Sequence, residues 1–542
     1  HDALPISTID AVTGASALAA SYAAIGVGMA IGVADATNIV ENRVRAESVN
    51  SDLVASGSGG ADHNAITIEA YTGATPDAAT ISTSLSTGQL SDLSGTEMSN
   101  GDPVAEDVSD DNDLRTQLYN DLKAAGVGLR GTAADIRVSE VTTGSRWTVV
   151  DVASGRQWIL DKGAVSGFKA TRVTINALSQ AAALALAAGG MAGVALAGAG
   201  ANAVNVVNTD TVARLSGNKT DEGSRATSAG IRVEAASDSV IQSTVLATSL
   251  AAAGGTGAVG VAIGAALSTN LIGYNVAGQT GATNANDIST EVAGRTWAVI
   301  ENAKVTANGG DSQVLSRAGQ TINALVISGA GSVALGGVGM AAAGAGVGAH
   351  NWINADTAAR LSGAALDVTT DALTVRASNA ARIEAVAGAI AFSVSGGFAG
   401  LSISVAASEA DNRITSTTTA EIVQGGDTGA VRAKVGGVTV DAQDTARISA
   451  LGAAVAVSIA VGVVGISIAG AGVGVVNTIS TRTEAEIGQI TVGTATDVSV
   501  TAKGSDTISA NVISAAVSIG GGAQLLHRAT CNSGVTVGHH VE

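Results

Sequence analysis

The sequence predicts an all-β fold: a repetitive β-solenoid of the parallel β-helix kind, with glycine-cornered apolar strands and small insertions. Three observations predict it. A module recurs along the chain at spacings of 58 to 83 residues, and repeats of that length are typical of stacked architectures. The uncharged runs inside the module alternate with a period of two, as strands do. Glycine pairs stand where the alternation changes parity, as expected at corners between strands.

The module has the same order of parts in each copy. Its clearest copy begins with LTVRA at Leu373, continues through the uncharged AVAGAIAFSVSGGFAGLSISVAAS and the turn EADNRI, and closes with TTTAEI at Ile422. The next copy runs from VTVDA at Val438 to TRTEAEI at Ile487. The alanine of the opening element recurs at Ala177, Ala235, Ala318, Ala377, Ala442 and Ala502, with an earlier copy at Ala11. Closing strands of pattern T-x-A-x-I/L begin at Thr211, Thr357, Thr418 and Thr483.

The uncharged runs decide between strands and membrane helices, because some approach 30 residues, a length that spans a bilayer as a helix. From Val455 to Val463 the aliphatic residues share one parity, and from Val464 to Ile468 they take the other. The same change occurs at Gly396-Gly397. Each run is therefore predicted to be two strands, with Ala, Val, Ile and Gly facing inward. Frequent glycine and the lack of basic flanks and aromatic belts also argue against membrane insertion.

The repeats and their interruptions divide the chain. We expect a partial first repeat over 1–50, an irregular insertion over 51–165, the strand array over 166–523 and an atypical tail over 524–542. Modules of the array are expected near 173–230, 231–313, 314–372, 373–437, 438–497 and 498–523. Residues 1–7 read like a translated sequencing adapter, and the tail reads like a stretch translated out of frame, so neither end enters the functional argument. We expect a piece of a longer chain whose neighbours are further repeats.

Two insertions carry features of their own. In the first, residues 115–128 form the best helix candidate, with a polar start and a glycine stop. Trp147 and Trp158 then flank an Ala-Ser-Gly turn, which predicts a hairpin. A second insertion follows Tyr274 and is expected to include a strand around Trp297.

Composition limits the class of partner. The net charge is −18, which argues against nucleic acid, since that partner needs a basic face. Aromatic residues make up 2% of the chain and glycine numbers 70, so any core must be thin and close-packed. The single cysteine, Cys531, allows no intrachain disulfide.

The repeat texture resembles a known group of proteins. The V-x-V-x-A strands, AG-rich runs, Asn-bearing turns and T-x-A-x-I closures look like the large repetitive exoproteins of Gram-negative bacteria and cyanobacteria. These are described as adhesin-like or haemagglutinin-like β-strand repeat proteins. The resemblance covers about residues 170 to 520, with a weaker copy near 6 to 46. It implies a β-solenoid, secretion or a cell-surface location, and a role in adhesion or matrix. It transfers no active site.

Candidate chemistry is sparse. Asp107, Asp110, Asp111 and Asp113 form an acidic cluster that could bind Ca²⁺ through oxygen ligands. The cluster lacks EF-hand spacing, and a solvated acidic loop is the simpler interpretation. An Asn precedes several closing strands and is interpreted as a turn residue or a member of a stacked ladder. These residues are Asn208, Asn354, Asn412 and Asn477.

The sequence predicts a function without catalysis. The chain is expected to be a stiff structural or adhesive rod in cell adhesion or biofilm matrix, with a surface or matrix ligand of unknown identity and no cofactor unless Ca²⁺ binds. Two alternatives stay open. One is a polysaccharide-acting enzyme on a β-helix, against which the scarcity of aromatic residues counts. The other is a protein associated with an outer membrane through inserted apolar hairpins.

Overall fold

The structure is a computed structural model, and it confirms the all-β repetitive solenoid. It describes residues 8–55, 65–72, 89, 98–99, 102–103, 108–124, 132–142, 146–151, 156–161, 167–168, 173–217, 224–228, 230–275, 290–291, 294–307, 310–364, 366–423, 430–522 and 524–541. Residues 1–7, which resemble a translated sequencing adapter, lie outside the described residues.

Most of the described chain is strand. Besides the strands there is one long helix, α1 (Val108–Ala124), and a 3-10 helix (Ala133–Asp135). The strands are β1 (Thr8–Val49), β2 (Leu53–Val54), β3 (Ala65–Thr72), β4 (Met98–Ser99), β5 (Asp102–Pro103), β6 (Ile136–Thr142), β7 (Arg146–Asp151), β8 (Arg156–Asp161), β9 (Gly167–Phe168), β10 (Val173–Ser216), β11 (Ser224–Ser228), β12 (Gly230–Ile272), β13 (Tyr274–Asn275), β14 (Thr290–Glu291), β15 (Gly294–Glu301), β16 (Ala303–Ala307), β17 (Ser312–Ser362), β18 (Asp367–Thr370), β19 (Leu373–Val423), β20 (Ala430–Ala433), β21 (Val438–Gly488), β22 (Thr491–Thr494), β23 (Val498–Gly521) and β24 (Gln524–Val541).

The strands wind into a stack of coils. The long strands pair in parallel and in register in the order β1, β10, β12, β17, β19, β21, followed by β23 and β24. We number the coils 1 to 7 in this order; β3 belongs to coil 2 and β15 to coil 3. A second parallel sheet, β2-β11-β16-β18-β20-β22, forms a third side. The long strands of coils 3 to 7 begin at residues 230, 312, 373, 438 and 498, close to the module starts that the repeat predicts.

Each long strand folds back on itself, in coils 2 to 7 at a glycine and in coil 1 at Ala24. In β19 the outbound arm ends at Gly396, Gly397 has a φ of +152°, and the return arm runs back from Ala399. The two arms face each other, because Ser393 Oγ lies 2.7 Å from Ser402 Oγ and Ser408 Oγ donates to the Ala387 carbonyl. The predicted pair of strands joined at Gly396-Gly397 is therefore confirmed.

The interior narrows from the third side to this turn. Near the third side, Val, Leu and Ile from all three sides of the coil form a core that includes Val375, Ile422 and Val431. Farther out, isoleucines such as Ile383 and Ile414 fill the gap between the arms. Near the turn the interior is mainly alanine. We call the wide end the base.

The larger aliphatic side chains near the turn face outward, which corrects the sequence prediction. In β21 the buried positions hold Ala454, Ala456 and Ser458, whereas Val457 and Ile459 point away from the interior. The period of two was right but the facing was wrong for the larger residues. The physical reason is the thinness of the interior: two arms lined with alanine and serine approach too closely for valine or isoleucine to fit between them.

These outer sections form an uncharged blade with two apolar faces. We define the blade as residues 12–33, 178–200, 244–265, 325–347, 386–407, 451–472 and 511–521, none of which is charged. Its outward side chains include Ile390, 54% exposed, and Val405, 51% exposed, on opposite faces of coil 5. The parts of the coils between the blade and the base contain charged residues.

The interruptions leave the stack near the base. The predicted first interruption began at residue 51, but β2 and β3 pair in register with β11 and β12, so coil 2 is interrupted only over 73–172. Within it, β7 and β8 form the predicted hairpin, with Val149 opposite Trp158. Helix α1 begins seven residues before the predicted start at Arg115.

The sequence analysis placed Trp297 in the second insertion. In the structure Trp297 belongs to the solenoid. It lies on β15, which pairs in parallel with β10 and β17. Thr296, Ala298 and Ile300 are buried there, and they fit the T-x-A-x-I closing pattern that the sequence reading had missed at this position. The tail also joins the stack, as β24 pairs with β21.

Candidate functional site

The predicted acidic cluster is not a loop where the structure describes it. Asp110, Asp111 and Asp113 lie in α1, and Asp113 is exposed; Asp107 lies outside the described residues. Acidic residues stabilise the N-terminal turns of a helix by interacting with its dipole, which explains why the helix extends through this stretch. The described residues contain no group of three or more His, Cys, Asp or Glu arranged to hold a metal. Calcium binding stays a prediction.

A buried asparagine ladder runs through the return arms. Each side chain donates from Nδ2 to Oδ1 of the next at 2.7–2.8 Å. Its members are Asn38, Asn205, Asn270, Asn351, Asn412 and Asn477. The sequence identified Asn412 and Asn477 correctly but chose Asn208 and Asn354 in coils 2 and 4, where the ladder uses residues three positions earlier. Only the register separates them, since both candidates precede a closing strand.

Polar and aromatic side chains gather on the outer surface of the return arms, between blade and base. The return-arm patch, as we call it, consists of Asp210, Arg295, Trp297, Asp356 and Arg360. In-register pairing brings Asp210, Arg295 and Asp356 side by side in coils 2, 3 and 4. The guanidinium carbons of Arg295 and Arg360 each lie 5.2 Å from the Trp297 ring centroid. The indole therefore contacts two cations, a favourable arrangement for each of them.

Asp210 and Asp356 have opposite electrostatic environments. Burial opposes ionisation of Asp210, but hydrogen bonds from Arg45 (2.9 Å) and Arg295 outweigh it and lower the pKa of the carboxyl. Arg43 adds a further ion pair at 3.2 Å. Burial raises the pKa of Asp356, and Trp297, Arg360 and Arg295 offset that effect only in part. The patch therefore pairs a carboxyl whose pKa is lowered with one whose pKa is raised.

A second group lies just above the patch, toward the blade. Trp352 Nε1 donates to Asp411 Oδ2 at 3.1 Å, and the same carboxylate raises the pKa of His350, whose Nδ1 lies 3.8 Å away. The Trp352 ring contacts His350 on one side and Tyr274, at 5.9 Å between centroids, on the other. Trp297 and Trp352 thus both lie on the return arms, which the composition alone did not reveal.

A buried ionic cluster lies on the opposite side, on the outbound arms next to the first interruption. Arg232 contacts both Glu234 and Glu69. Burial raises the pKa of Glu234, while Arg232 acts in the opposite direction. These charges are buried as a group, which is the condition under which buried ions persist. We interpret them as a structural contact at the point where the chain leaves coil 2.

The fold and these surfaces define an all-β parallel solenoid with a charged base, a return-arm patch and an apolar blade. Comparisons of the chain with protein-family models, with curated proteins and with solved structures give no match. Among the described residues no helix is both long and apolar enough to cross a membrane.

Proposed function

We propose that this chain is a structural and adhesive array, a stiff rod that acts at a cell surface or in an extracellular matrix. The observation that supports the proposal best is the unbroken register of the coils. From β17 to β21 nearly every residue pairs with its counterpart one coil on. Stacks of this kind derive their stability from nearest-neighbour contacts, so length can vary while the cross-section stays the same.

The buried ladder adds to the stiffness expected of such a rod. Sliding one coil against the next by a single residue would break the amide contacts and would exchange inward and outward side chains. A slipped coil would then place valine and isoleucine in the alanine-lined interior. The array is therefore expected to resist shear between coils.

Surface display tests the adhesive role. A host cell that displays the full chain is expected to be retained under flow on a polysaccharide-coated surface more strongly than the host alone. The matched control lacks residues 312–437, a deletion that removes two coils and lets β21 follow β12 in register; its retention is expected to be lower. Equal retention of the full-chain host and the bare host would contradict the proposal.

A second candidate function rests on the return-arm patch. A polysaccharide-acting hydrolase uses one carboxylic acid to protonate the glycosidic oxygen and a second carboxylate to activate water. Asp356 and Asp210 have the opposite pKa shifts that these two roles need. Their strands are two coils apart, about 10 Å, roughly the carboxylate separation of inverting enzymes.

Release of reducing ends from acidic and neutral polysaccharides tests this second candidate. If the patch is catalytic, Asp356→Asn abolishes the release, and the matched variant Asp367→Asn, which changes a carboxylate on the base, leaves it unchanged. No release from any polysaccharide, or equal release by both variants, would remove the enzymatic candidate and leave the adhesive one standing.

A further inference from the structure

The return-arm face of the blade is corrugated along the stack. At one level, aliphatic residues and glycine alternate from coil to coil. From coil 1 to coil 6 the pairing aligns Ile31, Gly198, Ile263, Gly344, Val405 and Gly470. At the next level it aligns Val33, Gly200, Ala265, Gly346, Ala407 and Gly472. At these two levels odd coils form ridges and even coils form grooves, with about 9.6 Å between ridges. Closer to the turn the alternation ends, because Leu196 and Ile468 of the even coils 2 and 6 also face outward there.

The ridges and grooves are open to the surroundings. Ile31, Ile263 and Val405 are 65%, 58% and 51% exposed. A Cβ added at Gly344 or Gly470 would meet nothing within 4 Å. The glycines there are not required by any close backbone contact in the described residues, so the fold itself leaves the grooves empty.

The outbound face lacks this alternation. At the level of Leu250 its outward residues are Leu18, Leu184, Leu250, Gly331, Phe392 and Val457. Large side chains there occupy adjacent coils, so no regular set of grooves forms. Corrugation is therefore a property of one face and not of the repeat as a whole.

We propose that a second copy of this chain docks on the return-arm face, with the ridges of each copy lying in the grooves of the other. A two-fold axis parallel to the strands reverses the coil order, so that coil 1 faces coil 6 of the partner copy, coil 3 faces coil 4, and coil 5 faces coil 2. At the levels of Ile31 and Val33 each ridge then meets a groove of the partner copy. Such a self-complementary surface is what an isologous dimer needs.

The size of the face suits a stable dimer. Six coils at about 4.8 Å spacing and about ten residues at 3.3 Å rise give roughly 900 Å² per copy. Specific protein interfaces bury about 800 Å² per partner. Over coils 1 to 6 the face is also uncharged from the blade turn to the level of Val347, so docking of these coils desolvates no charge; Arg528 of coil 7 lies beyond them.

A lipid layer suits the face less well. A fluid lipid layer covers a smooth and a corrugated surface equally well, so the size alternation of Ile31, Gly198 and Ile263 gives no advantage with such a partner. A protein surface of fixed shape can match the alternation.

Two lysine variants of coil 5 test the docking. Val405→Lys puts a charge on a ridge, and Ile390→Lys puts the same charge on the outbound face at similar exposure. We expect sedimentation equilibrium to give a dimer for the parent chain and for Ile390→Lys. For Val405→Lys we expect the dimer dissociation constant to rise about tenfold or more above that of the parent. Circular dichroism checks that both variants fold. A monomeric parent, or equal weakening by both variants, would overturn the proposal.

Cysteine cross-linking tests the reversed coil order. With Cys531 replaced by serine in every chain, an Ile31→Cys chain is mixed with a Gly470→Cys chain. We expect a disulfide between these copies, because coil 1 faces coil 6. The control mixture of Ile31→Cys and Gly198→Cys is expected to give none, since coil 2 faces coil 5. The opposite result would overturn this arrangement.

Flotation with neutral and anionic phospholipid vesicles separates the lipid alternative. The dimer is expected to stay out of the vesicle fraction, because its corrugated faces are covered. Vesicle binding that Val405→Lys abolishes would instead assign the face to lipid and overturn the pairing of copies. This inference goes beyond the proposed function. Dimerisation and adhesion are measured in separate experiments, so either proposal can be refuted while the other stands.

Discussion

At the residue scale, buried polar side chains are satisfied by repetition. Each ladder asparagine donates to the next coil and accepts from the previous one, so both halves of the amide are used. The column ends at Asn477, whose Nδ2 has no hydrogen-bond partner; the residue that pairs with it in β24 is Val537. A polar group in this interior is therefore stable only as a member of a column.

Asn412→Leu tests the ladder. The substitution leaves Asn351 Nδ2 without its acceptor and Asn477 Oδ1 without its donor. Each stranded buried group costs about 1–3 kcal/mol, so urea unfolding should show a loss of that order or larger. The matched control is Asn511→Leu at an exposed position of β23, where little change is expected. Similar losses in both variants would contradict a specific role for the ladder.

Asp444 is a buried carboxyl between the arms near the base. It is 1% exposed, and its Oδ2 accepts hydrogen bonds from Asn379 (3.1 Å), Ser416 (2.9 Å) and Thr418 (2.6 Å). Its Oδ1 has no hydrogen-bond partner. Burial raises the pKa of this carboxyl above its ordinary value of 3.8.

The sign of that shift predicts a pH dependence. The folded state holds its proton more tightly than the unfolded chain, so stability falls as pH rises above 3.8 until the folded pKa is passed. Asp444→Asn removes this loss, and its melting temperature is expected to exceed the parent's at pH 7, with a difference that shrinks on acidification. Asp367→Asn on the base serves as the control. A difference between Asp444→Asn and parent that does not depend on pH would contradict the assignment.

At the element scale, each coil is a strand folded back at a tight turn, and in the blade its small residues face inward and its larger ones face outward. This arrangement reverses the usual relation between size and burial. It holds because the gap between the arms is set by the narrow turn, and the large side chains then have only the outer faces to occupy.

Ala456→Leu and Val457→Leu test which face is inside. Ala456 is fully buried and Val457 points outward. Overpacking the thin interior is expected to destabilise Ala456→Leu by about 3 kcal/mol. The change at Val457 adds one methylene on an outward face with room for it and should cost under about 1 kcal/mol. Denaturant midpoints measured on the two variants decide the matter, and equal midpoints would contradict the observed facing.

Gly397→Ala tests the turn. A Cβ at this position would lie 1.7 Å from the Gly336 carbonyl oxygen of the preceding coil, and its φ of +152° disfavours a side chain. A loss of about 1–3 kcal/mol is expected from thermal unfolding. Gly470→Ala, where a Cβ meets nothing within 4 Å, provides the matched control. If Gly470→Ala lost as much stability, close approach at the turn would not be the cause.

At the scale of the whole molecule, stability is a sum over neighbouring coils. An interior coil has hydrogen-bonded neighbours on both sides, whereas in the described residues β1 pairs with β10 and β3 lies beside β12. One-dimensional stacks of this kind open from their ends.

Hydrogen exchange followed by mass spectrometry tests this gradient. Amides of β17 and β19 are expected to exchange slowest, and those of β1 and β23 fastest, because opening an end coil breaks one interface and opening an interior coil breaks two. Exchange at the same rate in all coils would indicate a single cooperative unit instead.

The sequence by itself determined the period of the strands, the spacing of the coils and the position of the turns. These follow from local chemistry: alternation sets strand faces, and glycine marks the places where backbones turn or approach closely. The helix in the first interruption and the Trp147–Trp158 hairpin were also predictable, because their signals lie within a few residues of each other.

Only the tertiary structure decided which face is inside, which asparagines stack and which polar residues meet. A strand with alanine on one face and valine on the other has two possible facings, and the width of the gap between the arms chooses between them. The return-arm patch joins Asp210 to Asp356 across 146 positions of sequence, and the ridges and grooves of the blade align residues of neighbouring coils about 60 positions apart. Such contacts depend on the register between coils, which is a property of the stack and not of any single module.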